Sequence, residues 1–186
     1  MAFLETSIRD LIIYDPKVFA DDRGYFLESY NKTFFTENSS IQCEFVQDNE
    51  SYSSYGTLRG LHYQTGENCQ AKLVRVILGK VLDVAVDLRK DSPTYGHHVA
   101  VELSAENKRQ FFVPRGFAHG FVVLSEKALF AYKCDNFYSK PSEGGIIFND
   151  PKLNIDWKID HNEIILSEKD GILPKFGEHI DVDINY

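Results

Sequence analysis

The chain has 186 residues, 43% hydrophobic, 26% charged and 13% aromatic, with a formal charge of −8; the length suits one domain, residues 1–186, with a substantial core. The 14 Phe and 10 Tyr favour a β-rich protein, and the negative balance, with no long Lys/Arg stripe, argues against nucleic-acid binding while leaving room for a small anion held by a few arginines. No stretch reaches the ~18 apolar residues of a membrane span, the N-terminus lacks a basic region followed by an apolar run, and the three distant cysteines, Cys43, Cys69 and Cys134, indicate neither a disulfide framework nor a zinc knuckle, so a soluble cytoplasmic protein is expected.

From Ser7 to Tyr14 apolar and polar residues partly alternate, Asp15-Pro16 turns the chain, and Lys17 to Ala20 is a short extended piece. Asp21-Asp22-Arg23-Gly24 turns it again before a strand from Tyr25 to Tyr30. Arg23 and Glu28 flank that strand and read equally well as surface charges. Asn31 to Asn38 has the texture of one or two helical turns. Cys43 to Asn49 reads as a strand ending in Gln47-Asp48-Asn49, and Ser51 to Gly56 as a loop by composition.

The central stretch runs from Arg59 to Arg75. It sets His62 on one strand and Lys72 at the head of the next. A neutral imidazole removes protons from carbon, and an ammonium beside it holds the charge that the adjoining carbonyl oxygen acquires. A core hydrogen bond for His62 and a solvated strand end for Lys72 explain the same residues. Alternation places Gly60, His62 and Gln64 on one face and Arg59, Leu61 and Tyr63 on the other, which separates Arg59 from His62 unless Gly60 bends the strand. Lys72 to Leu78, Gly79-Lys80 and Val81 to Leu88 have the form of a hairpin. On its return strand Val81, Asp83, Ala85 and Asp87 share a face that suits either a polar cavity or solvent.

Strands follow at His97 to Leu103 and Gln110 to Val113, and Pro114 and Gly116 bracket a corner that leads to a strand with His119, Phe121 and Val123 on one face. In Leu129 to Cys134, Tyr132 points the same way as Phe130 and Cys134, towards the interior, where a tyrosine hydroxyl finds a partner. Beyond Tyr138 the texture loosens, with short extended pieces around Ile146 and Ile155. Ser167 has the form of a helix N-cap with Asp170 three residues on. A dozen short strands without a linker or repeat point to an all-β, mainly antiparallel sandwich or barrel with a few short, mostly C-terminal helices. A carboxylate, Asp170 or Asp83, bonded to the second nitrogen of His62 would fix its tautomer, and a tyrosine across a cavity could return a proton to the opposite face of a planar intermediate. A metal-dependent cupin is disfavoured: Leu61-His62-Tyr63-Gln64 holds one histidine, and His97-His98 would point to opposite faces. No metal site is assigned.

With these residues in view the sequence closely resembles the dTDP-4-dehydrorhamnose 3,5-epimerases, enzymes with a cupin-type jelly-roll fold. The likeness spans nearly the whole chain and is carried by Asp22-Arg23-Gly24-Tyr25-Phe26 with Glu28, Gln47-Asp48-Asn49, Leu58 to Gln64, Ala71 to Arg75, Val81 to Arg89, Pro114 to Phe121, Tyr132-Lys133 and Leu166 to Asp170. It implies double epimerisation of dTDP-4-dehydro-6-deoxy-D-glucose without a cofactor. His62 would be the base, Asp170 its orienting carboxylate, Tyr132 the acid on the other face, and Lys72, with His119 nearby, the stabiliser of the C4 enolate oxygen. Arg23 and Arg59 would bind the diphosphate, and Phe26, Glu28, Gln47, Asn49, Tyr138, Glu143 and Lys169 would contact the nucleotide or sugar. The family's homodimer, in which an N-terminal segment reaches the neighbouring pocket, implies that Arg23 and Glu28 act in trans. Relatives that invert one carbon, dTDP-sugar 3,4-ketoisomerases, and a nucleotide-sugar-binding cupin without activity are the competing readings.

Overall fold

Alternating apolar residues make half-buried strands, and such strands are stable only when their apolar faces pack on a second layer. The computed structural model describes residues 2–39 and 41–183. In chain order the strands are β1 (Ala2–Glu5), β2 (Ile12–Asp15), β3 (Val18–Asp21), β4 (Gly24–Leu27), β5 (Gln47–Ser54), β6 (Leu58–Gln64) and β7 (Lys72–Leu78). They continue with β8 (Lys80–Asp87), β9 (His98–Ser104), β10 (Gln110–Val113), β11 (Phe117–Val123), β12 (Lys127–Cys134) and β13 (Glu143–Gly145). A six-stranded sheet runs β1-β2-β10-β7-β12-β5, a five-stranded sheet runs β13-β6-β11-β8-β9, and β3 and β4 form a separate hairpin. All strand pairs in the two large sheets are antiparallel, as an all-β jelly roll requires. No helix of the described residues is long and apolar enough to cross a membrane.

Two apolar layers explain the strand patterns. Val74, Val76, Phe111 and Phe130 of the six-stranded sheet pack between the sheets on Val81, Ala85, Phe117 and Phe121 of the five-stranded one. The outer face of the five-stranded sheet, Leu61, Leu82, Val84, Val86 and Val122, is covered by Ile146, Leu153, Ile155 and Trp157 of the C-terminal chain. Each such side chain contributes about 1.5–3 kcal/mol when fully buried, which holds this segment in place without regular strands. The pieces expected as extended around Ile146 and Ile155 are therefore loop, although Ile146 and Leu61 exchange both backbone hydrogen bonds at 3.0 and 3.1 Å. Helix α1 (Lys32–Asn38), whose N-cap Asn31 accepts from the Phe34 amide at 3.0 Å, buries Phe35 against Tyr14 on the outer face of the six-stranded sheet.

Several expectations change. Residues 6–11 form turns rather than the start of β2, closed by a Leu11 amide bond to Ile8. Residues 43–46 precede β5 rather than opening it, and β5 continues through Ser51 to Ser54, expected as loop, because β12 pairs with it along its full length. β7 and β8 are not a hairpin: β7 pairs with β10 and β12, and β8 with β9 and β11. The chain crosses at Gly79 (φ +78°) from one sheet to the other, and since β8 is buried on both faces its pattern could not reveal which neighbour it takes.

The sheet that carries His62 is irregular at one place. His62 of β6 stands opposite His119 of β11 and Arg59 opposite Phe121, so Gly60 and Leu61 together face the lone Gly120. This β-bulge shifts the alternation by one residue and turns Arg59 to the same face as His62. Gly60 has φ +133°, and a Cβ there would lie 2.6 Å from the Gly120 Cα. Gly60→Ala is expected to lower the unfolding free energy by about 1–3 kcal/mol and to depress turnover. Gly171→Ala is the control, since its φ is not positive and its Cβ would meet nothing within 4 Å; equal stability of the two variants in urea would contradict this account of the bulge.

Candidate active site

Between the two sheets lies a cavity of about 430 Å³ lined by, among others, Arg59, His62, Lys72, His119, Tyr132, Lys169 and Asp170. A second lobe of about 310 Å³ shares His62, Lys72 and Tyr132 and adds Gln47, Asn49, Tyr138 and Glu143. The five-stranded sheet contributes His62 and His119, directly opposite each other on β6 and β11. The six-stranded sheet contributes Lys72 from β7 and Tyr132 from β12. The Lys72 ammonium is 5.9 Å from the Tyr132 ring centroid. An imidazole and a phenol thus enter one cavity from opposite walls, with an ammonium beside the phenol.

His62 is tied down from the C-terminal chain. Its Nε2 is 2.6 Å from Asp170 Oδ1, and Asp170 sits in a single 3-10 turn, residues Asp170–Ile172, whose first amide donates to Ser167 Oγ at 3.1 Å. The N-cap of this turn is Lys169, without a side-chain cap bond, so the helix start expected at Ser167 is not found; Ser167 instead braces the Asp170 amide from outside the turn. Burial works to raise the Asp170 carboxyl pKa; hydrogen bonds from His62, Ser167 and the Gly60 amide outweigh it and hold the group below the usual aspartate value. With Asp170 accepting the Nε2 proton, Nδ1 is left as the basic lone pair. Asp83, the other candidate partner of His62, instead serves His119, whose Nε2 lies 2.9 and 3.0 Å from its two oxygens, and no solvent reaches that carboxylate.

Protein surrounds Lys72 except where it borders the cavity. Loss of hydration lowers its pKa from the ordinary lysine value, against the opposing pull of Cys134, Asp83 and Glu143. Burial raises the Tyr132 phenol, with Arg59 opposing, so it keeps its proton at neutral pH. Arg59 donates its Nε–H to Ser53 Oγ at 3.2 Å and, among the described residues, has no carboxylate within ion-pair distance. In the second lobe Gln47 donates to Asn49 at 2.9 Å, Tyr138 donates to Glu143 at 3.2 Å, and Lys169 pairs with Glu143. Desolvation alone would raise the Glu143 carboxyl, but Lys169 and Tyr138 bring it below its usual value.

Arg23, Phe26 and Glu28 are not brought to this cavity by their own chain. They lie on or just after the β3–β4 hairpin, where Arg23 is paired with Asp21 at 2.5 Å and Phe26 is 68% exposed. In the other direction, Ser51, Thr57 and Ser167, to which the sequence assigns no role in the site, line the cavity, and Ser53 accepts a hydrogen bond from Arg59. The alternation of Gln47, Asn49, Ser51 and Ser53 with outward residues was a usable signal, masked by a composition that suggested loop.

A sequence model of the family described as dTDP-4-dehydrorhamnose 3,5-epimerase matches residues 5–178. The chain is 54% identical over 186 residues to the Shigella flexneri protein of that name, covering 100% of this chain and 99% of the relative. The solved dTDP-4-dehydrorhamnose 3,5-epimerase of Elizabethkingia anophelis superposes with a TM-score of 0.91 at 59% identity, over 95% of this chain and 97% of its own. The dTDP-6-deoxy-D-glucose-3,5-epimerase of Legionella pneumophila, solved in complex with dTDP-4-keto-L-rhamnose, also gives 0.91, at 49% identity over 95% and 93% of the two chains. With a family match over nearly its full length, a relative of that name 54% identical along the whole chain and the same backbone fold, the chain belongs to the dTDP-4-dehydrorhamnose 3,5-epimerase family.

Proposed function

We propose that the protein converts dTDP-4-dehydro-6-deoxy-α-D-glucose into dTDP-4-dehydro-β-L-rhamnose by removing and returning protons at C3 and C5. The observation that carries this reading is the arrival of His62 and Tyr132 in one cavity from opposite sheets. His62 Nδ1 takes the proton next to the C4 ketone, and Asp170 stabilises the imidazolium that results. Electrons flow to the C4 oxygen, where the Lys72 ammonium meets the enolate with His119 nearby; a donor placed so in a dry site contributes ~3–4 kcal/mol. Because its pKa is already lowered by desolvation, Lys72 donates to that oxygen more strongly than a solvated lysine. The Tyr132 phenol delivers a proton to the opposite face, which inverts the carbon. The chemistry draws on side chains alone, and no cofactor is assigned.

Arg59 at the rim binds the diphosphate, and Gln47, Asn49, Tyr138, Glu143 and Lys169 take the nucleotide and sugar. Arg23, Phe26 and Glu28 complete the site of a second subunit in a homodimer. Support for this comes from the β3–β4 hairpin, which leaves Phe19, Tyr25 and Phe26 between 49% and 68% exposed, an apolar surface suited to a partner. A cytoplasmic location fits the free Cys43, Cys69 and Cys134.

Three measurements test the reading. Incubation with the 4-keto substrate in deuterated water is expected to label both C3 and C5; label at one carbon marks a single-position epimerase, and a 3-keto product marks a ketoisomerase. Lys72→Ala is expected to lower turnover about 10²–10³-fold with dTDP affinity nearly unchanged, and retained turnover would remove the lysine from the mechanism. Tyr132→Phe is expected to keep His62-dependent exchange of label while losing inversion, seen as deuterated starting material of unchanged configuration.

The pH dependence of stability follows from Asp170. Its folded pKa lies below the unfolded value of about 3.9, so its contribution is complete above that pH and is lost as pH falls through the folded pKa. Asp170→Asn is expected to flatten the rise of unfolding free energy with pH across the acid window below about pH 4. Urea titrations at stepped pH provide the check, and an unaltered slope would contradict the assignment.

A further inference from the structure

β5 presents Gln47, Asn49, Ser51 and Ser53 inward and Asp48, Glu50, Tyr52 and Ser54 outward. The inward row forms one wall of the cavity system, and three of its four side chains have polar partners. Gln47 bonds Asn49, Asn49 donates to Cys134 Sγ at 3.7 Å, and Ser53 accepts from Arg59. Ser51 lines the same cavity as His62, Lys72 and Tyr132. Its hydroxyl is shielded from solvent, and among the described residues it is the one buried side-chain polar atom without a hydrogen-bond partner. The fold offers it none, because the residue opposite on β12 is Phe130, whose ring stacks on Phe121 with centroids 4.1 Å apart. The residue itself is only half-buried and borders the cavity, so rotation about its Cα–Cβ bond turns the unpaired hydroxyl from its shielded position towards the cavity, where a ligand atom can complete the bond.

The register locates that atom. Asn49 stands opposite Tyr132, and Ser53 holds Arg59; Ser51 lies between them, about 7 Å along the strand from each at ~3.3 Å per residue. A ligand whose ketone reaches Tyr132 and whose diphosphate reaches Arg59 passes Ser51 where the hexose joins the diphosphate. We propose that Ser51 Oγ hydrogen-bonds an oxygen at the anomeric end of the bound nucleotide sugar, either the C2 hydroxyl or the phosphoryl oxygen next to C1, and so sets the distance between the diphosphate clamp and the proton-transfer groups. Ser51 is a binding and positioning residue. The inference rests on the nucleotide-sugar reading of the cavity but not on the epimerisation itself.

Calorimetric titration with dTDP and with dTDP-glucose, which has no ketone and does not turn over, separates the possibilities in wild type, Ser51→Ala and Ser51→Thr. Ser51→Ala is expected to bind dTDP-glucose about tenfold more weakly, Ser51→Thr to retain affinity, and the unliganded Ser51→Ala protein to unfold at no lower temperature than wild type, since it loses no internal hydrogen bond. A matching loss for dTDP assigns the bond to the phosphoryl oxygen; a loss confined to dTDP-glucose assigns it to the hydroxyl. Unchanged affinity for both ligands, a lowered unfolding temperature of the unliganded variant, or a wild type that binds neither ligand overturns the inference. Failure of the wild type to exchange deuterium, with the Ser51→Ala binding loss intact, overturns the epimerase reading and leaves this contact standing.

Discussion

Two backbones approach at Gly60 and Gly120 with no side chain between them, and the active-site wall depends on that approach. A Cβ on Gly60 would sit 2.6 Å from the Gly120 Cα, and one on Gly120 would sit 2.7 Å from the Arg59 carbonyl oxygen. Neither strand tolerates a larger residue there without a shift of main chain. The extra residue that this contact accommodates reverses the facing of β6 halfway along. Without it His62 would look into the cavity while Arg59 looked into the outer apolar layer beside Leu61. The bulge is thus a functional feature encoded by backbone packing.

Alternation along the strands shows how much of the protein can be read from its sequence. It correctly separates Leu82, Val84 and Val86 from Val81, Asp83 and Ala85 on β8, and places His119 with Phe121 and Tyr132 with Phe130. It fails where a decision rests on a distant partner. The Gly79-Lys80 turn resembles a hairpin locally, yet β7 and β8 belong to different sheets because each finds a better neighbour elsewhere. Ser51 to Ser54 has loop composition and becomes strand because β12 supplies a full ladder. The polarity that hid this strand is what a cavity wall needs. The choice between Asp83 and Asp170 for His62 was likewise open to chemistry and closed only by topology: Asp83, on β8, faces His119, while Asp170 arrives from a turn 108 residues away from His62 along the chain.

The electrostatics share one theme, charged or ionisable groups stripped of water but given specific partners. Asp83 and Asp170 are almost fully buried and each holds a histidine. Lys72 differs, since no carboxylate within ion-pair distance is found for it among the described residues, and its hydration loss is only partly offset at longer range. An ammonium in that state carries an unfavourable free energy in the folded protein. It is relieved when negative charge develops nearby. That makes the lysine more complementary to an enolate than to a neutral ketone, which is the condition for accelerating a reaction rather than merely binding a substrate.

Why a sandwich should host this chemistry follows from geometry. Side chains on one sheet reach a ligand from one side only, so a proton removed by a residue of a single sheet would be returned to the face it left. Inversion requires donors on two opposed surfaces, and sheets packed face to face stand ~10 Å apart, enough for a sugar ring edged by side chains from each. In this protein the imidazole comes from the five-stranded sheet and the phenol from the six-stranded sheet. Lys72 shares the sheet of the phenol and lies on β7, the strand paired with β12. Lys72 is therefore fixed in register with Tyr132, while His62 is set independently by the bulge and by the C-terminal turn. In the proposed reaction the phenol and the ammonium keep their spacing through one ladder of backbone hydrogen bonds, and only the separation of the two sheets has to match the thickness of a sugar ring.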